Sequence, residues 1–177
     1  MEIQNLQVVD SVEIVILVDN YVDLLLAGSE QVQRPLLAKD GLIGPETLIA
    51  EHGLALLITV HVSGEEHSVL LDTGYNRDTV RHNMRILGLK LDTLDTVVLS
   101  HGHMDHMGAL GYWASQRYLN AMGPATVLVP SQIAEGIERL LTNFADLEGG
   151  RPYEVDVVSV ESGDLHSLRP DMALEFF

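Results

Sequence analysis

A short histidine-rich segment contains the residues best suited to chemistry. Residues 100–108 read SHGHMDHMG and hold three of the eight histidines of the chain, with Asp105 directly before His106. Imidazole nitrogens and carboxylate oxygens are the usual protein ligands of zinc, iron and manganese. In extended backbone, residues two apart project to the same side, so His101 and His103 can share one metal ion, while Asp105 and His106 face a second position. The spacing therefore favours a metal site over the alternative, a solvated loop with several histidines.

The sequence around this segment predicts an α/β fold. Apolar, β-branched runs typical of buried strands occur at residues 12–18, 54–62, 69–71, 96–99, 126–129 and 155–160. Apolar residues at helical spacing occur at 78–87, 107–120 and 131–144, and Ser131 is the expected N-cap of the last helix. Residues 28–47, which contain several Gly and Pro, are expected to form a long loop with a short helical turn. The alternation of strands and helices places the histidine segment at the carboxyl end of a strand, where α/β proteins usually hold ligands.

Composition limits the classes of partner. The 177 residues suit one domain spanning 1–177, and ten Lys+Arg against 26 Asp+Glu give a formal charge of −16. This charge opposes binding to nucleic acid or to anionic membranes and favours the attraction of cations. The absence of cysteine excludes disulfides and thiolate ligands. No apolar run is long enough to span a bilayer. We therefore expect a cytoplasmic protein that acts on a small molecule.

Three sequence features resemble those of a known family. The pattern His101-x-His103-x-Asp105-His106 is similar to the metal-binding signature of the metallo-β-lactamase fold superfamily. Residues 69–74, VLLDTG, resemble its strand that ends in an Asp-Thr-Gly turn. Residues 17–20 and 51–54 resemble the branch typified by dihydropterin ribofuranosyl-aminobenzene phosphate synthase-like proteins. The resemblance is specific over about residues 12–115, and it implies an αββα sandwich of which this chain is the amino-terminal αβ half.

The resemblance also implies a mechanism and a role for each residue. His101 and His103 would bind a first metal ion, and Asp105 and His106 a second, with Asp105 also orienting the water. Asp72 would not bind the metal ions itself but would hold the metal-binding loop in position. The expected metal is one or two zinc ions, with iron or manganese as alternatives. The implied activity is hydrolysis of an ester, thioester, lactone or phosphoester by a metal-bound hydroxide.

Other residues have weaker claims. The resemblance places His52 near the substrate side, although a strand-entry turn is the favoured explanation. Asp19 and Asn20 end the first predicted strand and could line the same opening, or they could cap the loop that follows. His166, the one histidine after His106, is a weak candidate ligand because its surroundings predict a surface turn. His61 and His67 are expected to lie exposed in a hairpin around residue 64.

The length of the chain leaves alternatives open. A half-sandwich would expose an apolar sheet face, so we expect a homo-oligomer or a companion chain that covers it. The alternative to a hydrolase is a non-catalytic metal-binding or interaction module derived from this fold by truncation. A third hypothesis is a structural remnant without metal.

Overall fold

The structure is a computed structural model that describes residues 8–35, 38–39, 42–44, 46–90, 94–169 and 172–176. In chain order its elements are β1 Ser11–Val18, β2 Ala38–Lys39, β3 Leu42–Ile43, β4 Ala55–Val62, β5 Glu65–Leu71, α1 Arg77–Ile86, β6 Thr96–Val98, α2 Met104–Met107, α3 Leu110–Leu119, β7 Ala125–Pro130, α4 Ser131–Leu147, β8 Val155–Val160, β9 Leu165–Arg169 and β10 Met172–Glu175. These elements confirm the predicted α/β class.

The strand order of the main sheet brings several connecting segments together at one edge. Among the described residues it contains six strands in the order β1-β4-β5-β6-β7-β8, antiparallel from β1 to β5 and parallel from β5 to β8. Val18 at the end of β1 pairs with Ala55 at the start of β4, while Leu71 at the end of β5 pairs with Val98 at the end of β6. The segments that follow β1, β5 and β6, and the segment that precedes β4, therefore meet at a single edge of the sheet.

The helices cover one face of this sheet. Alternate residues of the central strands, such as Leu70, Val97 and Val127, pack beneath α1, α3 and α4 in the larger hydrophobic core. This pattern follows from the β-branched and leucine-rich strands, whose side chains point alternately to the two faces. Each such side chain, when fully buried, stabilises the fold by about 1.5–3 kcal/mol. The helical layer thus fixes the strands that support the histidine segment.

The opposite face is only partly covered. Val69, Val98, Leu128 and Val160 form a second core there, with Leu174 and Phe176 near the β9–β10 hairpin packed against it. Farther along the same face, three β1 side chains are more than half exposed: Val12 at 51%, Ile14 at 57% and Ile16 at 55%. We call these three residues the open sheet face. Within the described residues nothing packs over them, which agrees with an apolar face left uncovered by a half-sandwich.

Several predicted elements differ in detail. The helix predicted over 107–120 is α3, which begins only at Leu110, and the short α2, Met104–Met107, lies within the histidine segment. A side chain at Gly108, which follows α2, would meet the carbonyl oxygen of Tyr75 at 2.1 Å. The N-cap of α4 is Pro130, and Ser131 is the first helical residue. Part of the loop predicted over 28–47 is the short β2–β3 ladder, and residues 36–37, 40–41 and 45 lie outside the described residues.

Two histidines were also placed wrongly. His67 is buried in β5 at 5% exposure because strand alternation turns its side chain toward the sheet face that carries Val69. His166 lies in β9, paired with Leu174, whereas the sequence predicted a turn. The turn residues 162–164 directly precede that strand.

Candidate metal centre

The histidine segment leaves the sheet at the edge where the other segments converge. It follows β6, runs through Ser100 and continues into α2, whose N-cap is His103 in extended conformation. Asp72 follows the neighbouring parallel strand β5, and its backbone N–H donates to the carbonyl of Val98 at 2.8 Å. Parallel pairing of β5 and β6 thus places Asp72 directly beside the start of the histidine segment.

Asp72 is the buried centre of the hydrogen bonding. Its side chain is fully buried, and its backbone lies in the left-handed region with φ 57°, which Asp tolerates better than most residues. Its Oδ1 accepts from the backbone N–H of Ser100 at 2.8 Å, and its Oδ2 accepts from the Ser100 hydroxyl at 2.7 Å. Nδ1 of His106 lies 2.7 Å from the same Oδ2. The carboxylate therefore binds both the start and the end of the predicted metal loop.

This network determines which imidazole nitrogens remain available. A carboxylate only accepts hydrogen bonds, so Nδ1 of His106 carries a proton, and in the neutral imidazole the Nε2 lone pair is then free. Ser100 gives its hydroxyl proton to Asp72, so it accepts from Nδ1 of His101 at 2.9 Å. His101 is thereby held in the same tautomer. Ser100, to which the sequence analysis assigned no role, links the two histidines to one buried carboxylate.

The predicted metal ligands lie close together. The ring centroid of His101 is 4.7 Å from that of His103 and 4.0 Å from that of His106. Oδ2 of Asp105 lies 3.5 Å from Nε2 of His106, and both side chains are about one-fifth exposed. The structure thus brings the four residues to one half-buried position.

A second segment reaches the same position from the other side. The backbone N–H of Leu54 donates to the carbonyl of Asp105 at 3.2 Å, and Gly53 lies so close that a Cβ there would be 2.2 Å from that oxygen. Nε2 of the adjacent His52 is 3.3 Å from Oδ2 of Asp105. Of the residues predicted on the substrate side, His52 is therefore in contact with the centre.

Asp19, Asn20 and His166 have other positions. Asn20 accepts from the backbone N–H of Gly53 at 3.0 Å, and the carbonyl of Asp19 accepts from Glu51 at 3.1 Å, so both join the end of β1 to the segment around His52. Among the described residues, no hydrogen bond or ion pair joins His166 to the histidine segment.

The donor types fit a divalent metal ion, but their present arrangement does not enclose one. His101 and His106 offer Nε2 atoms of fixed tautomer, and Asp105 offers a carboxylate beside them. In the part of the chain that the structure describes, no three His, Asp or Glu side chains surround a common point as an ion requires. The side chains of His103 and His52 are exposed, so packing does not fix their rotamers, and closure around an ion would require side-chain rotation.

Comparison with known proteins defines the class. The family described as "Metallo-beta-lactamase superfamily" matches residues 49–164, which include Asp72 and the whole histidine segment. The chain belongs to this superfamily, whose members generally bind divalent metals, usually zinc.

Individual relatives match shorter regions. The chain is 36% identical over 61 residues to 7,8-dihydropterin-6-methyl-4-(beta-D-ribofuranosyl)-aminobenzene-5'-phosphate synthase of Methanocaldococcus jannaschii, covering 34% of this chain and 21% of that protein. It is 31% identical over 83 residues to tRNase Z TRZ1 of Arabidopsis thaliana, covering 47% of this chain and 29% of that protein. The solved metallo-beta-lactamase fold protein YhfI from Bacillus subtilis is 18% identical with a TM-score of 0.48, covering 66% of this chain and 41% of YhfI. The chain thus spans less than half the length of each.

None of the helices in the described ranges is both long enough and apolar enough to cross a membrane.

Proposed function

We propose that this chain supplies the metal-binding portion of a metal-dependent hydrolase, with residues 101–106 as its centre. The hydrogen-bond network around Asp72 supports this proposal most directly. A single buried carboxylate holds His101 and His106 with their Nε2 atoms free, and it does so beside a second carboxylate, Asp105. Imidazoles that bind metals usually have the other ring nitrogen fixed in this way.

Each residue has a defined task in this proposal. His101 and His103 bind one ion, and Asp105 and His106 bind another. When bound, a divalent cation supplies Lewis acidity to the attacking water and to the scissile group. Asp105 orients the water by accepting a hydrogen bond from it, while Asp72 and Ser100 keep the imidazole protons on Nδ1 throughout.

The proposed substrate is a small ester, thioester, lactone or phosphoester. Similarity to the dihydropterin phosphate synthase favours a phosphorylated, pterin-like compound. The similarity to a tRNase Z points to phosphodiesters more widely, but the formal charge of −16 opposes the binding of RNA. We further propose a cytoplasmic location and self-association through the open sheet face.

A hydrolysis assay tests the proposal. Zinc-loaded protein is expected to hydrolyse at least one member of a panel that represents the four substrate classes. The panel consists of p-nitrophenyl acetate, a thioester, a lactone and bis-p-nitrophenyl phosphate. Chelation and His103→Ala should each abolish the activity, while His82→Ala should retain it, because His82 bonds to the carbonyl of Thr47. Metal binding without turnover on any member would favour the alternative, a non-catalytic metal-binding module. Equal turnover by wild type and His103→Ala would refute the hydrolase proposal.

A further inference from the structure

The exposed side chain of His52 approaches a carboxylate oxygen of Asp105 that the predicted metal ligand His106 also approaches. Nε2 of His52 is 3.3 Å from Oδ2 of Asp105, and Nε2 of His106 is 3.5 Å from that oxygen. Both are ion-pair contacts without hydrogen-bond geometry. Two imidazole nitrogens thus lie within 3.5 Å of one carboxylate oxygen.

The separations resemble those between ligands of one metal ion. In a tetrahedral zinc site with metal–ligand bonds of about 2.0–2.1 Å, neighbouring donor atoms lie about 3.3–3.4 Å apart. The distances from Asp105 to His52 and to His106 are close to that value. Two of the three donor separations that a shared ion requires are therefore present, while the three side chains do not converge on a common point among the described residues.

Hydrogen bonds hold the backbone around His52, although its side chain is exposed. Glu51 accepts hydrogen bonds from Asn76 and Thr79 at the start of α1, at 2.8 and 2.5 Å. On the other side, Gly53 and Leu54 are bonded to the end of β1 and to the backbone of Asp105. The side chain of His52 itself is 81% exposed. Because the side chain is exposed, packing does not fix its rotamer, and ligation of a shared ion would require its rotation.

We propose that His52 is a ligand of the second metal ion, together with Asp105 and His106. This inference rests on the proposed function, because it assumes that the histidine segment binds metal. It adds a third protein ligand to a position for which the sequence pattern alone supplies two. The ligand comes from the segment before β4, and the antiparallel pairing of β4 with β5 brings it to the site.

The competing explanation is an exposed ion pair between His52 and Asp105. Such a pair contributes about 0–1 kcal/mol to stability and has no effect that depends on a metal. The chain offers a matched control for it. His61 forms the same type of contact with Glu66 at 3.5 Å, near the opposite end of β4.

Titration with Co²⁺ distinguishes the two explanations, since the visible absorption of Co²⁺ reports the ligands. Wild-type protein, His52→Ala and His61→Ala are stripped with chelator and titrated, with thermal unfolding recorded in chelator and with zinc. For His52→Ala we expect Co²⁺ affinity to fall at least about tenfold and the visible bands to change. The corresponding loss of zinc-dependent stabilisation is at least about 1.4 kcal/mol. His61→Ala should match the wild type, and all three proteins should unfold at similar temperatures in chelator.

Each other result has a distinct meaning. If His52→Ala and His61→Ala bind Co²⁺ alike, with unchanged bands, His52 is a surface ion-pair partner and the inference is wrong, while the proposed function stands. If wild-type protein binds no Co²⁺, the proposed function fails and this inference fails with it. His52→Gln serves as a second variant should the alanine change lower stability in chelator.

Discussion

Replacement of Asp72 by asparagine tests the hydrogen-bond network with the smallest change in shape. Asparagine tolerates the φ of 57° at this position, so the backbone is not strained further. Its oxygen can still accept from the N–H of Ser100. Its NH₂ group replaces Oδ2, however, and a donor now faces Nδ1 of His106. His106 must then accept at Nδ1 and carry its proton on Nε2, the atom that would bind metal.

The expected effect of Asp72→Asn follows from these bonds. Loss of a group that supports a metal-binding histidine typically lowers metal affinity about 10–100-fold, which is about 1.4–2.7 kcal/mol. The variant gives up two hydrogen bonds to a charged, fully buried oxygen, each of which contributes about 1.5–3 kcal/mol. Its amide recovers part of this, so we expect a loss of about 1–3 kcal/mol in the free energy of unfolding.

Two measurements check this prediction. Nitrogen NMR of the histidine rings in metal-free protein, at about pH 8 where an ordinary imidazole is neutral, should show the proton of His106 on Nδ1 in the wild type and on Nε2 in Asp72→Asn. Calorimetric titration with zinc then gives the affinity. Asp10→Asn is the control, because Asp10 also accepts from a backbone N–H, that of Ser63 at 2.8 Å, at the opposite edge of the sheet. Wild-type zinc affinity in Asp72→Asn would refute the reasoning.

Three further predictions concern the loop, the pH dependence and the sheet face. Gly53→Ala should disrupt metal binding because its Cβ would lie 2.2 Å from the carbonyl oxygen of Asp105. Gly64→Ala, also at positive φ (84° against 136° at Gly53) but with nothing within 4 Å, should affect only stability; equal metal affinities in the two variants would contradict this. Burial and a hydrogen bond to Glu148 raise the pKa of Tyr153 from 10.0 to about 12, so the folded state keeps a proton that the unfolded state loses; the stability from this group is complete below pH 10 and is lost as the pH rises toward 12. Denaturant titrations across that pH range should show the free energy of unfolding falling more steeply with pH in the wild type than in Tyr153→Phe. Parallel pH profiles of the two proteins would count against a raised pKa of Tyr153. Light scattering should show an oligomer that associates through the open sheet face, and a monodisperse monomer would exclude it.

The sequence predicted best those features that depend on neighbouring residues. The strand over 155–160 was predicted with its observed bounds, because four of its six residues are valine, which favours extended backbone. The start of the predicted helix at Leu110 and not at Met107 was missed because its cause is tertiary. Gly108 packs against the backbone of Tyr75, which is distant in sequence. His67 was misplaced because its burial depends on which face of β5 is covered.

The site shows the same limit. The four residues predicted as ligands could be singled out from the sequence because they lie within six consecutive positions. The contact of Asp72 with His106, the linking role of Ser100 and the approach of His52 to Asp105 all depend on strand pairing. The predicted hairpin around Gly64 already implied part of this, because a hairpin places the start of β4 beside the end of β5. What the spacing alone could not supply was the edge of the sheet at which these segments meet.

Metal analysis of the purified protein tests the central claim most directly. Wild-type protein, dialysed after zinc loading, should retain one or two zinc ions per chain and lose them to a chelator. His103→Ala, treated in the same way, should retain clearly less. Equal zinc content in the two proteins, or none in either, would contradict a metal centre at the end of β6.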